Sequence, residues 1–109
     1  MWNVSTIKTQ YILFTLNTTQ EVIAELVKVN DDENSYHLRK PRLITPVQTG
    51  QDTYGLRLDP VSMADPDGDQ LVNITAIAME AVNIPDGLVR AYQQQTSNIE
   101  IVSSLPGQM

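Results

Sequence analysis

Between Tyr11 and Ile44 the chain reads YILFTLNTTQEVIAELVKVNDDENSYHLRKPRLI, three apolar stretches separated by two polar breaks. The first, Tyr11 to Leu16, is a compact run of β-formers stopped by Asn17-Thr18-Thr19, the composition of a strand entering a turn. The second, Glu21 to Asn30, supports two readings. Val22, Ile23, Leu26 and Val27 fall at i, i+1, i+4 and i+5, and Thr18 with Glu21 has the spacing of a capping box, so one reading is a helix. Yet four of the ten residues are Val or Ile. The apolar positions also fit a bulged, strongly bent strand whose inward face changes from Val22, Ala24 and Leu26 to Val27 and Val29. A helix here makes the protein α/β, a strand makes it mainly β, and pattern weighs the two equally.

After the acidic turn Asn30 to Asn34, a third extended run from Ser35 to Thr45 carries Tyr36, Leu38 and Ile44 on one parity. Pro41 interrupts it and, having no N–H for a central ladder, requires a bulge or an edge at that point. Thr45 to Thr53 is a polar connector. Tyr54 to Leu58 alternates cleanly and continues after Asp59-Pro60 through Val61 to Ala64, giving a kinked fourth strand. Asp65 to Asp69 contains Asp-Gly, a hairpin signal, before a fifth, β-branched strand from Leu71 to Met79. Ile84-Pro85-Asp86-Gly87 punctuates again, and Leu88, Val89, Ala91 and Tyr92 form one face of a short helix ending in Gln93 to Gln95. Ile99, Ile101 and Val102 suggest a last extended piece, with residues 1–10 as an arm and 105–109 as a frayed end.

A chain of 109 residues is one domain's worth, able to bury about two thirds of its unfolded surface in one core. The division expected is an arm at 1–10, a β-barrel at 11–84, and a short helix and tail at 85–109. With no cysteine, a thiol nucleophile and a zinc-thiolate site are both excluded, and no oxidising compartment is needed. The opening Met1-Trp2-Asn3 lacks a basic leader, and Tyr11 to Phe14 is too short for a membrane span, so a cytoplasmic protein is expected. The sequons at Asn3, Asn17 and Asn73 then reflect composition alone. The formal charge of −6 argues against coating duplex DNA by bulk electrostatics. The cations are clustered nonetheless: of seven Lys and Arg residues, Arg39, Lys40 and Arg42 fall within four positions, next to Tyr36 and His37.

Five strands with a short turn after the first, an Asn in the break after the second and a variable loop after the third resemble the Sm and LSm (Hfq-like) family of small, bent-strand SH3-like barrels. The family's Asp-x-x-Met-Asn break is similar to Asn30-Asp31-Asp32-Glu33-Asn34, where Asn34 matches outright and Asn30 stands in place of the Asp. The long acidic break and the companion hairpin resemble most the Sm-like proteins of marine cyanophages and ocean metagenomes. The resemblance implies a mainly β fold in which Glu21 to Asn30 is the shared bent strand. It further implies a homo-oligomeric ring of about five to seven subunits, sealed where strand four of one subunit pairs with strand five of the next. Single-stranded RNA or DNA would be the partner, in the cytoplasm of an infected bacterial host. The family's second motif, Ile-Arg-Gly at the end of strand four, falls here on Met63-Ala64-Asp65, which replaces a base-clamping arginine by a carboxylate that repels phosphate.

The candidate nucleic-acid-binding residues are therefore Asn34, whose amide both donates and accepts, and Tyr36, His37, Arg39, Lys40 and Arg42, which supply rings for stacking and charge for a backbone. Strict alternation sets Arg39 on the face opposite Lys40 and Arg42 unless Pro41 resets the register. Each candidate also has a plainer role: Asn34 as a turn residue, the cations as a solvated face balancing an acidic chain. Asp65-x-Asp67-x-Asp69 is not a calcium loop, since its Gly is at the fourth position and the twelfth is Ala76. With one His, no Gly-x-Ser-x-Gly and no glycine-rich phosphate loop, nothing nominates an enzyme, a cofactor or a metal site. Two functions follow: a ring-forming nucleic-acid-binding module, or a structural ring that uses the same fold for protein–protein contacts in a phage.

Overall fold

The structure, a computed structural model, describes residues 9–97. Six strands, β1 (Gln10–Leu16), β2 (Glu21–Asn30), β3 (Ser35–Gln48), β4 (Tyr54–Pro60), β5 (Asp69–Asn73) and β6 (Ile77–Glu80), are followed by one helix, α1 (Asp86–Thr96). All the pairings are antiparallel and run β4-β3-β2-β1-β6, with β5 also on β3. The fold is mainly β. β3 is the longest strand because it serves two neighbours on one side, β5 along Ser35–Arg39 and β4 along Arg42–Gln48.

That pairing forces the sheet to curl. In the path β5-β3-β2-β1-β6, four flat strand spacings would put the outer strands about 19 Å apart. Yet β5 and β6 are joined by a 3₁₀ turn of three residues, Ile74–Ala76, which spans only about 6 Å. The two outer strands therefore approach each other, and the Tyr36 hydroxyl of β3 donates to Glu80 Oε1 of β6 at 2.8 Å across the junction. The result is a small barrel-like sheet.

Glu21 to Asn30 is a strand, and the helix reading fails for a physical reason. Val22, Ile23 and Ala24 are all buried because both sides of the sheet are covered. Inside the curl, Ile12, Phe14, Val22, Ala24 and Leu38 form one core. On the outside, Leu13, Ile23, Leu58 and Tyr92 form a second, roofed by α1. A strand buried on two faces shows a continuous apolar run instead of an alternation, and a run of that kind mimics part of a helical pattern. The later apolar positions shift because Val27 is an extra residue between the pairs Leu26↔Leu38 and Lys28↔His37.

The expected fourth and fifth strands are corrected. β4 stops at Pro60, and Val61 to Ala64 belongs to a loop, so the run 54–64 is not one strand. Leu71 to Met79 is not one strand either: the 3₁₀ turn at Ile74–Ala76 divides it into β5 and β6. The sheet thus has six strands where five were expected. The helix is longer than its apolar stripe suggested, extending from Asp86 to Thr96. Residues 1–8 of the expected arm, the extended piece at Ile99 to Val102 and the end at 105–109 lie outside the described residues.

Candidate nucleic-acid interface

The candidate residues occupy the β2–β3 turn and the first half of β3, and a bulge in β3 decides how they are arranged. Ile23 pairs with Arg42 and Glu25 with Arg39, so the two residues Lys40 and Pro41 oppose the single residue Ala24. Lys40 takes up the distortion with φ 53°. One extra residue resets the alternation, and Arg39 and Arg42 consequently share the outer face with their partners Glu25 and Ile23. The same bulge takes the carbonyls of Arg39 and Lys40 out of a regular ladder. Tyr92 of α1 meets them, its hydroxyl lying 3.1 Å from the Arg39 oxygen and 2.8 Å from the Lys40 oxygen. A buried carbonyl left without a donor is costly, so the helix stabilises the bend it covers. Burial pushes the Tyr92 phenol up, with the Glu25 charge adding to it, and the group stays protonated as a donor.

The cations are held within the chain. Arg42 is 6 % exposed; its Nη1 donates to the carbonyls of Pro41 and Pro66, and its Nη2 reaches Asp67 Oδ1 at 2.6 Å. Lys40 Nζ donates to the Thr96 carbonyl at 3.2 Å, a cation at the end of a helix where the carbonyls are unpartnered. Arg39 Nε donates to Asp69 Oδ1 at 3.1 Å, and His37 Nε2 lies 2.8 Å from Asp69 Oδ2. These two side chains stand on the outer face beside β5, where Arg39 is paired in register with Asp69. The hydrogen bonds from His37 and then Arg39 hold the Asp69 carboxyl below the ordinary carboxylate range, and Asp69 with Glu25 pushes the Arg39 guanidinium up. Tyr36 is half-buried, and its hydrogen bond to Glu80 raises its phenol. The sequence thus groups Tyr36, His37, Arg39, Lys40 and Arg42, but the structure divides them: one buried anchor, one helix-end contact, one aromatic at the barrel junction and one exposed outer pair.

Asn34, like Arg39, is open to solvent. It sits at φ 52°, a left-handed conformation that Asn tolerates, and its carbonyl accepts from the Ile74 N–H at 2.9 Å. That bond brings it to Asn73, which pairs with Ser35 and caps the 3₁₀ turn: the Asn73 Oδ1 accepts from the Thr75 N–H and hydroxyl. The Asn34 backbone is thus joined to the segment that Asn73 caps, at one end of the barrel. Asn73 was missed in the sequence, although an Asn two residues before a Thr is a capping signal. Met63-Ala64-Asp65, where the resemblance puts a pore arginine, lies in the β4–β5 loop; the strand end that leads into the final strand is Val72-Asn73. Close to the amides, Asp31, Asp32 and Glu33 are exposed at the β2–β3 tip.

A further feature is the set of open strand edges. Among the described residues β4 and β5 each pair with β3 alone, and β6 with β1 alone. All three carry large exposed apolar side chains: Tyr54 and Leu56 on β4, Leu71 on β5 and Met79 on β6. No helix of the described residues is long and apolar enough to cross a membrane, and no cluster of three or more His, Asp or Glu residues among them has the arrangement of a metal site. No protein-family model matches the chain, and no curated protein matches it.

Proposed function

We propose that this chain is a phage-encoded, ring-forming Sm-like module that engages single-stranded RNA or DNA in nucleic-acid processing inside an infected bacterium. The observation that carries the reading is the open edges of β4 and β6, each with exposed apolar side chains. An unpaired row of N–H and C=O groups is a template for another strand, and natural proteins usually blunt it. Here the edges differ in sequence, so β4 of one copy joined to β6 of the next makes a head-to-tail contact that repeats until it closes, as a ring of about five to seven copies. Ring closure removes both edges at once and covers Leu56 and Met79.

Such a ring repeats the exposed Asn34 amide once per subunit. An amide offers a donor and an acceptor, the two functions needed to read the edge of an unstacked base. Arg39 supplies the nearest fixed positive charge on β3, with the His37 ring beside it on the same face. A second reading, the structural ring of a phage assembly, has its own support in the three carboxylates at the β2–β3 tip and in Glu25 and Asp69 flanking Arg39. Fluorescence anisotropy with labelled oligo(U), oligo(A) and single-stranded DNA at two salt concentrations separates them. Saturable, salt-sensitive binding that weakens in Asn34→Gly supports the nucleic-acid module. A well-formed ring that binds none of the three leaves the structural reading.

A further inference from the structure

Within the basic stretch, one ion pair is built to last and another is built to exchange. Both Nη groups of Arg42 are engaged, and its side chain is only 7 % exposed. Arg42 therefore fastens the β4–β5 loop to β3 at Pro66 and Asp67. The loop is further closed by the Gly68 N–H donating to the Asp65 carbonyl and the Asp65 N–H donating to Ser62 Oγ. At its end it delivers Asp69, the first residue of β5, directly opposite Arg39.

The Asp69 contact is of a different kind. The side chains of His37, Arg39 and Asp69 are 29 %, 47 % and 43 % exposed. Each carboxylate oxygen takes one donor, His37 Nε2 on Oδ2 and Arg39 Nε on Oδ1, much as two non-bridging oxygens of a phosphodiester would. Asp69 uses only the Nε of the guanidinium, on a side chain that is 47 % exposed. Exposed pairs of this type contribute little to stability and yield to a competing anion.

We infer that Asp69 is an intramolecular stand-in for phosphate, an autoinhibitory contact that a nucleic-acid backbone displaces from His37 and Arg39. The inference rests on the nucleic-acid reading and adds a regulatory element to it: the acidic loop sets the affinity threshold, and Arg42 keeps the loop in place while Asp69 exchanges. The displaced carboxylate turns to solvent, and the phosphate takes the Arg39 Nε and an outer N–H together, a two-point contact that the carboxylate does not make.

The test compares wild type, Asp69→Asn and Asp52→Asn in titrations with a labelled oligo(U), each checked for unchanged mass in solution. Asp52, in the exposed β3–β4 loop, controls for the loss of one negative charge. Asp69→Asn is expected to tighten binding by about fivefold to tenfold, and to steepen the dependence of log K on log salt by about 1 as freed cations reach phosphate. Asp52→Asn is expected to change affinity less than about twofold, and Arg39→Ala added to Asp69→Asn should abolish the gain. Wild type and Asp69→Asn binding alike would overturn the autoinhibitory contact and leave the nucleic-acid reading standing. Intact rings of both that bind nothing would remove that reading and the contact with it. Where Asp69→Asn does not fold, the wild type gives the same information by NMR. The His37 ring and Arg39 Nε–H signals move on addition of oligo(U) if the backbone displaces Asp69, and unmoved signals at saturation overturn the inference.

Discussion

One apolar stripe on β4 has two fates. Tyr54, Leu56 and Leu58 point to the same side of the sheet, yet Leu58 is 6 % exposed while Leu56 is 60 % and Tyr54 72 %. The difference is α1, whose Tyr92 covers Leu58 together with Leu13 and Ile23, and whose cover ends there. Side chains of the same chemistry on one strand are thus core at one end and uncovered surface at the other. The hydrophobic effect acts equally on both, so the uncovered end gains whenever another apolar surface arrives. The subunit is sealed where its own helix reaches and is open where, in our reading, a neighbour belongs.

The largest effect is expected at the sealed end. Tyr92→Ala should cost about 3–5 kcal/mol, since a fully buried ring is lost and the α1 roof has nothing else of that size to fill the gap. Tyr92→Phe isolates the hydroxyl. It should cost about 1–3 kcal/mol because the Arg39 and Lys40 carbonyls lose their donor at the bulge. Denaturant unfolding reads both, and a cost near zero for Phe would mean that the bulge does not depend on the helix.

At the open end the expectation reverses: Leu56→Lys should leave subunit stability within about 0.5 kcal/mol while abolishing assembly. A large loss of stability without a change of mass would show that Leu56 belongs to the subunit's core after all. Asn34 lies between these extremes. Asn34→Ala should cost about 1 kcal/mol, because its φ of 52° is strained for a residue with a Cβ and no side-chain amide. Asn34→Gly should fold unimpaired and weaken nucleic-acid binding only.

The smallest effect concerns acid. The Asp69 carboxyl is depressed in the folded chain by His37 and Arg39, so its stabilisation is present above the carboxylate's ordinary value and is lost as pH falls through the folded value. Asp69→Asn should therefore flatten the acid limb of the stability curve slightly. An unchanged limb would show that the pair contributes nothing to folding.

Much of this fold is legible in the sequence where a turn or polar break bounds the apolar run. The strands at Tyr11 to Leu16 and Ser35 to Thr45 are examples, and so is Tyr92 within a helical stripe. The sequence is ambiguous at Val22-Ile23-Ala24, because only the distant α1 makes both faces of that strand apolar. It misleads at Val61 to Ala64, where an apolar run follows Pro60 but the chain leaves the ladder. The site is less legible than the fold. Strict alternation separates Arg39 from Arg42, and the Lys40–Pro41 bulge brings them to one face. Their partners Asp69 and Asp67 lie 30 and 25 residues away, so no local pattern announces that the cations are neutralised. Asn34 and Asn73 are likewise brought close only by the β3–β5 pairing of distant parts of the chain.

The central claim is that β4 and β6 are each other's missing neighbours on successive copies, and the most direct measurement is the mass in solution by light scattering, across concentration, of wild type and Leu56→Lys. The account predicts one closed species of about five to seven subunits of 12.2 kDa for wild type, and a monomer for the variant. A wild-type monomer at every concentration, or a variant whose assembly matches wild type, would contradict it.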